Sequence, residues 1–118
     1  MTGRSRRADL VHAGHVVHGA ALVLCPARVA ARADGGADGR SEVAFIRVLG
    51  ARHALQGLAG LTAPRWMSPT LGGAVDVLHA VSMVGLALLD RDHRRGASAG
   101  AAMALAFALA DRWAAAGR

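Results

Sequence analysis

Apolar residues fall in four blocks along the chain, separated by short polar or Gly/Pro-rich breaks. The first runs from Leu10 to Cys25, the second from Val43 to Leu61, the third from Leu71 to Leu89 and the fourth from Ala97 to about Ala110. No block alternates apolar and polar residues with a period of two, and β-branched residues are few beside Ala and Leu, so strands are not expected. The pattern predicts helices over approximately 10–30, 43–61, 71–89 and 97–115. Short connections predict antiparallel neighbours, giving a single all-α domain built as an antiparallel four-helix bundle. "ARADGGADGRSE" (31–42) reads as a loop. In "TAPRWMSPT" (62–70), Ser68 before Pro69 fits an N-cap followed by a first-turn proline. Ser98, or a residue beside it, is expected to cap the last helix.

The solvent of this bundle follows from length and composition together. The second and third blocks are 19 residues each, close to the ~20 that a membrane-crossing helix needs. The chain is 53% hydrophobic, yet it has only two Phe, two Trp and no Tyr. A water-soluble core of this size draws on larger aromatic groups, whereas Ala and Gly let helices approach closely in lipid. All 14 basic residues are Arg and the net charge is +6. Most gather at segment ends, as Arg4, Arg6 and Arg7, then Arg28, Arg32 and Arg40, then Arg91, Arg94 and Arg95. That placement suits flanks of membrane spans and makes no continuous stripe for nucleic acid, for which no motif is present.

The expectation is therefore a transmembrane bundle in the cell membrane. Its partners are the lipid bilayer and a second copy or a larger membrane protein, and nucleic acid is not among them. Two alternatives remain. A three-span version with the first segment lying in the interface places all three basic clusters on the cytoplasmic side. A soluble helical bundle would use its Arg-rich ends on an acidic partner. The single Cys25 excludes an intramolecular disulfide. The first block is interrupted by three histidines and followed by more Arg, so it reads as a helix of the mature protein and not as a cleaved leader.

Ionisable residues inside the apolar blocks are the candidate chemistry. Folding the chain about its loop centres sets His53 opposite His79, Gln56 opposite Asp76, His18 opposite Ala54 and Asp111 opposite Val77. This gathers His18, His53, His79, Gln56, Asp76 and Asp111 into a belt, with Arg52 one turn from Asp76; the register is good to about a turn, roughly 5 Å. A charge in hydrocarbon costs at least a few kcal/mol, so Arg52 and Asp76 are expected to pair as a clasp, with anion or proton handling as the functional alternative. Asp76 and His79 stand three apart on one helical face and could orient each other. In "HAGHVVH", His12 and His18 lie about 120° apart around the helix, so one metal does not readily take all three histidines. His15 and His18, helped by His53 or His79, form the candidate metal set, and haem between His53 and His79 is a further alternative. No cofactor is predicted outright. With no nucleophile–base pair, phosphate loop or complete metal motif, an enzyme is not expected.

"RVLGARHALQG" (47–57) and "VDVLHAVSM" (75–83) resemble stretches of small, uncharacterised bacterial integral membrane proteins with about four predicted spans. The resemblance covers residues 43–115. It implies a membrane bundle, directs attention to Arg47, Arg52, Gln56, Asp76 and His79, and carries no catalytic role. Two functions follow as expectations: a non-enzymatic accessory or interaction subunit, and a binding or transport-like module whose Asp76, His79, Arg52, His53 and Gln56 take a proton, metal, haem or small ligand.

Overall fold

A computed structural model describes residues 5–34 and 39–117. Among them lie five helices and no strand: α1 (Arg6–Leu24), α2 (Pro26–Asp34), α3 (Gly39–Thr62), α4 (Pro69–Leu89) and α5 (Arg94–Ala116). The all-α expectation holds, but the first helix is not the single rod over 10–30 that the pattern predicts. Cys25 leaves the helical region at φ −124° and ψ 42°, and Pro26 has no N–H with which to continue the ladder and crowds the residue before it. The chain turns by 89° there, and α2 sets off across the end of the bundle. The loop expected over 31–42 is corrected at both ends: α2 continues to Asp34 and α3 already begins at Gly39, while residues 35–38 lie outside the described residues.

Local signals mark the other boundaries. Ser68 caps α4 as expected, its Oγ accepting from the Leu71 N–H at 3.2 Å with Pro69 in the first helical position. The start of α5 differs from expectation. Ser98 lies inside the helix, which begins four residues earlier behind His93. The preceding turn is closed by Asp90, whose Oδ1 accepts from the N–H groups of Asp92 (3.0 Å) and His93 (3.3 Å).

Glycine decides how the long helices meet. Gly19 of α1 lies against Gly50 and Ala54 of α3, while Gly57 and Gly60 of α3 lie against His12. A Cβ at any of these positions would strike backbone or an imidazole ring, so the two helices run antiparallel at a distance only glycine allows. Across the bundle, Gly72 and Gly73 of α4 face Asp111 of α5, and Met83 faces Gly100. Ala8 and Val11 of α1 pack on Ala114 of α5, and Gln56 of α3 reaches Gly72 and Asp76 of α4. Each long helix thus has antiparallel neighbours on two sides.

The apolar core is split between the two ends. Ala8, Val11 and Ala114 close one end; Leu22, Ala30 and Ile46, with Val29 and Leu49 against them, close the other beneath α2. Between these clusters the interior is polar. The largest completely buried side chains are His15, His53, Asp76 and Asp111. Large aliphatic groups point the other way: Val17, Leu24, Leu88 and Leu89 are 70%, 77%, 72% and 89% exposed. On α4 the outward face is a stripe of Leu71, Leu78, Val81, Val84 and Leu88, and on α1 Leu10, Val17 and Leu24 repeat every seventh residue. By length and composition α4 is apolar enough to cross a membrane, with a mean hydropathy of 1.7, and α1 with α2 up to Arg32 passes only as a bent pair.

Candidate functional site

The polar layer is built from three side chains of α3 and one from each of the other long helices. His15 comes from α1, Arg52, His53 and Gln56 from α3, Asp76 from α4 and Asp111 from α5. They meet because the glycine contacts bring α1 onto α3 and α4 onto α5 at the same depth. Phe107 of α5 closes one face, its ring stacked on that of His15 with centroids 3.9 Å apart and planes 18° from parallel.

The expected clasp is present. Arg52 Nη2 donates to Asp76 Oδ1 at 3.1 Å, and Gln56 Nε2 donates to Asp76 Oδ2 at 3.2 Å and lies 3.4 Å from the Gly72 carbonyl. The arginine side chain is 28% exposed and the carboxylate wholly buried. Arg52 and His53 point to different neighbours, as successive helical residues must. The guanidinium reaches α4, while His53 turns to α1, where its Nδ1 lies 3.3 Å from Nδ1 of His15. Arg52 Nη1 also comes within 3.3 Å of His53 Nε2.

These contacts order the protons. A guanidinium only donates, so His53 Nε2 accepts and the neutral ring carries its hydrogen on Nδ1. That hydrogen points at His15 Nδ1, which must then accept, and His15 carries its own hydrogen on Nε2. This nitrogen faces two carboxylates, Asp76 Oδ2 at 3.3 Å and Asp111 Oδ2 at 3.6 Å, close enough for ion pairing but without hydrogen-bond alignment to either. Both oxygens of Asp111 are buried with no hydrogen-bond partner. Counted formally, Asp76 and Asp111 bring two negative charges and Arg52 one positive, leaving one negative charge without a counterpart in a sealed interior. Such a charge is strongly unfavourable, and one proton removes it.

The donor set His15, His53 and Asp76 offers ligand atoms all within 4.8 Å of one another. The geometry nonetheless favours a proton over a metal. Both nitrogens of His53 are already engaged, by Arg52 and by His15, and His15 turns an N–H toward the carboxylates, not a lone pair. The same engagement leaves His53 no nitrogen for a haem iron. His18 stands edge-on to His53 with centroids 5.1 Å apart and does not join His15 around a common point.

His79 lies 6.0 Å from His53 between centroids, edge to face. No hydrogen bond joins it to Asp76 among the described residues, and its Nε2 is buried without a partner. The expected Asp76–His79 pairing is therefore replaced by Asp76 with Arg52, Gln56 and His15. Arg47, singled out by resemblance, is exposed near the α2 end and takes no part. Phe107 escaped the sequence reading altogether; its only signal was being one of two phenylalanines, set in an Ala-rich helix.

No family model, curated protein or solved structure matches this chain.

Proposed function

We propose that this chain is a small integral membrane protein of the cell membrane that works as a non-enzymatic proton-binding module. The membrane part is supported by the inverted distribution of side chains: the large aliphatic residues cover the outside and the ionisable ones fill the middle. In water that arrangement would leave a long apolar stripe on α4 uncovered; in lipid it is the ordinary arrangement. The single observation that carries the proton reading is Asp111, a sealed carboxyl with no hydrogen-bond partner, 3.6 Å from a histidine nitrogen at the end of a donor-ordered chain.

The chain also supplies a route. The proton reaches Asp111 in one concerted shift, from His15 Nε2–H to Asp111 and from His53 Nδ1–H to His15 Nδ1, so that loading exchanges the tautomers of both rings. His53 is reloaded at Nε2, from which Arg52 withdraws while keeping Asp76. Every proton lost by one atom is gained by the next. Rows of Asp and His with this character mark proton pathways inside membranes.

Infrared spectroscopy of the protein in lipid vesicles tests the reading. The expected result is a protonated-carboxyl band that disappears in Asp111→Asn and survives in Asp92→Asn. A wild-type spectrum with all carboxyls ionised overturns the proton site. Release of the protein from membranes by an alkaline wash overturns the membrane assignment separately.

A further inference from the structure

The end of the bundle bearing α2 contains a second feature that the polar layer does not use. A cavity of about 480 Å³ opens there, walled by Phe45, Leu49, Met83, Leu86, Ala99 and Met103. Its size lies within the range of about 300–1,000 Å³ that small-molecule pockets occupy. The wall is almost wholly apolar, with His18 deep inside and Asp90 and His93 at the opposite end. Asp90, the one acidic residue lining it among the described residues, is hydrogen-bonded to His93 at 2.8 Å.

Above this cavity lies α2, turned 89° from α1. Pro26, Val29 and Ala30 face inward, while Arg28 and Arg32 are exposed. An amphipathic helix at right angles to a bundle, apolar side in and arginines out, has the form of one lying at a membrane interface. The same end carries Arg47, Arg91, Arg94 and Arg95, all exposed, against Asp90 and Asp92; Asp34 and Glu42 also belong to it by their place in the chain. Arg94 additionally reaches back to the Ala87 carbonyl at 3.0 Å, closing the last turn of α4.

We propose that this end binds one anionic phospholipid, with an acyl chain in the cavity and the headgroup phosphate on Arg28 and Arg32 of α2 and Arg95 of α5. The proposal rests on the membrane reading given above. An acyl chain matches an apolar wall that offers few polar partners, and the phosphate matches the excess of exposed arginine over acidic residues at this end of the bundle. A zwitterionic lipid satisfies the first requirement and not the second.

Cys25, the single cysteine, is exposed at the α1–α2 junction between the cavity residues Leu22 and Val29. A fluorophore on it, in the full chain reconstituted in vesicles, reports a lipid seated there. Spin-labelled phosphatidylglycerol and spin-labelled phosphatidylcholine are compared as quenchers in mixed vesicles. The expected result is preferential quenching by phosphatidylglycerol, the preference falling by about five-fold for each arginine removed at low salt in Arg28→Gln and Arg32→Gln. Ala99→Phe, which fills the cavity from an exposed wall position, is expected to abolish it. Equal quenching by both lipids in the wild type overturns the proposal. So does a preference untouched by Ala99→Phe, which would reduce the site to surface charge, or one erased by inorganic phosphate at matched ionic strength. A protein found free of the vesicles would overturn the membrane reading instead.

Discussion

Nδ1 of His15 and Nδ1 of His53, residues 38 positions apart in sequence, lie 3.3 Å from each other. Two neutral imidazoles can share that contact only if one donates and the other accepts. Arg52 makes the choice, because it approaches His53 at the other nitrogen and can only give protons. A residue that looked like a helix clasp therefore also sets the tautomers of the two buried rings.

Nitrogen-15 NMR of histidine-labelled protein reads this directly. In Asp111→Asn, where the relay has no terminal acceptor, His15 is expected as the Nε2–H form and His53 as the Nδ1–H form. Arg52→Leu releases His53 and is expected to leave both rings as tautomer mixtures. Observation of His15 in the Nδ1–H form in Asp111→Asn would refute the ordering.

The Arg52–Asp76 pair gives a second expectation. Arg52→Leu strands a fully buried carboxylate and should cost about 3 kcal/mol, the lower end of what breaking a buried pair costs, because the guanidinium is partly exposed. Asp76→Leu should cost a similar amount. The double variant should recover most of the loss in a mutant cycle of unfolding measured in mixed micelles. Additive losses would show that the two residues act independently.

Close approach of α1 and α3 predicts a sharp contrast between glycines. At Gly19 an added methyl meets the backbone of Gly50 and Ala54, so Gly19→Ala is expected to destabilise by about 1–3 kcal/mol. At Gly85 nothing lies within 4 Å of an added Cβ. Gly85→Ala should be neutral or stabilising by up to about 1 kcal/mol, from helix propensity alone. Equal effects at the two sites, measured by thermal unfolding, would contradict the packing described.

The turn between α4 and α5 responds to acid. The His93 side chain beside Asp90, with the backbone N–H groups of His93 and Asp92, holds the Asp90 carboxyl below its ordinary value of 3.8. A carboxyl lowered in the folded state adds stability that is complete above its ordinary value and is lost as pH falls through the lowered one. The difference in melting temperature between wild type and Asp90→Asn should therefore shrink on acidification below about pH 4. A difference that grows on acidification would reverse the sign of the linkage.

Much of this architecture is written in the order of the residues. The four apolar blocks, their helical character, the Ser68–Pro69 start of α4 and the depth at which Gln56 meets Asp76 all follow from local pattern and loop-centred folding, because helix formation and chain reversal are short-range. The fold about the second loop brought Gln56 to Asp76 and set His53 near His79. The fold about the last loop was less accurate: Asp111 meets Gly72 and Gly73, not Val77, since one misjudged helix start shifts a register by more than a turn.

Other features belong to the assembled bundle alone. Composition announced ionisable residues inside apolar helices, and so a polar interior of some kind. Which nitrogen of His15 faces Asp111, why His79 is left aside, and that Phe107 rather than another histidine covers the ring are settled by helix faces meeting across long sequence separations. Those faces are chosen by glycines at Gly19, Gly50, Gly57 and Gly60, where the absence of a side chain lets backbones touch. Pattern along a chain records which residues prefer to be helical; only contact between helices fixes which lone pair meets which proton.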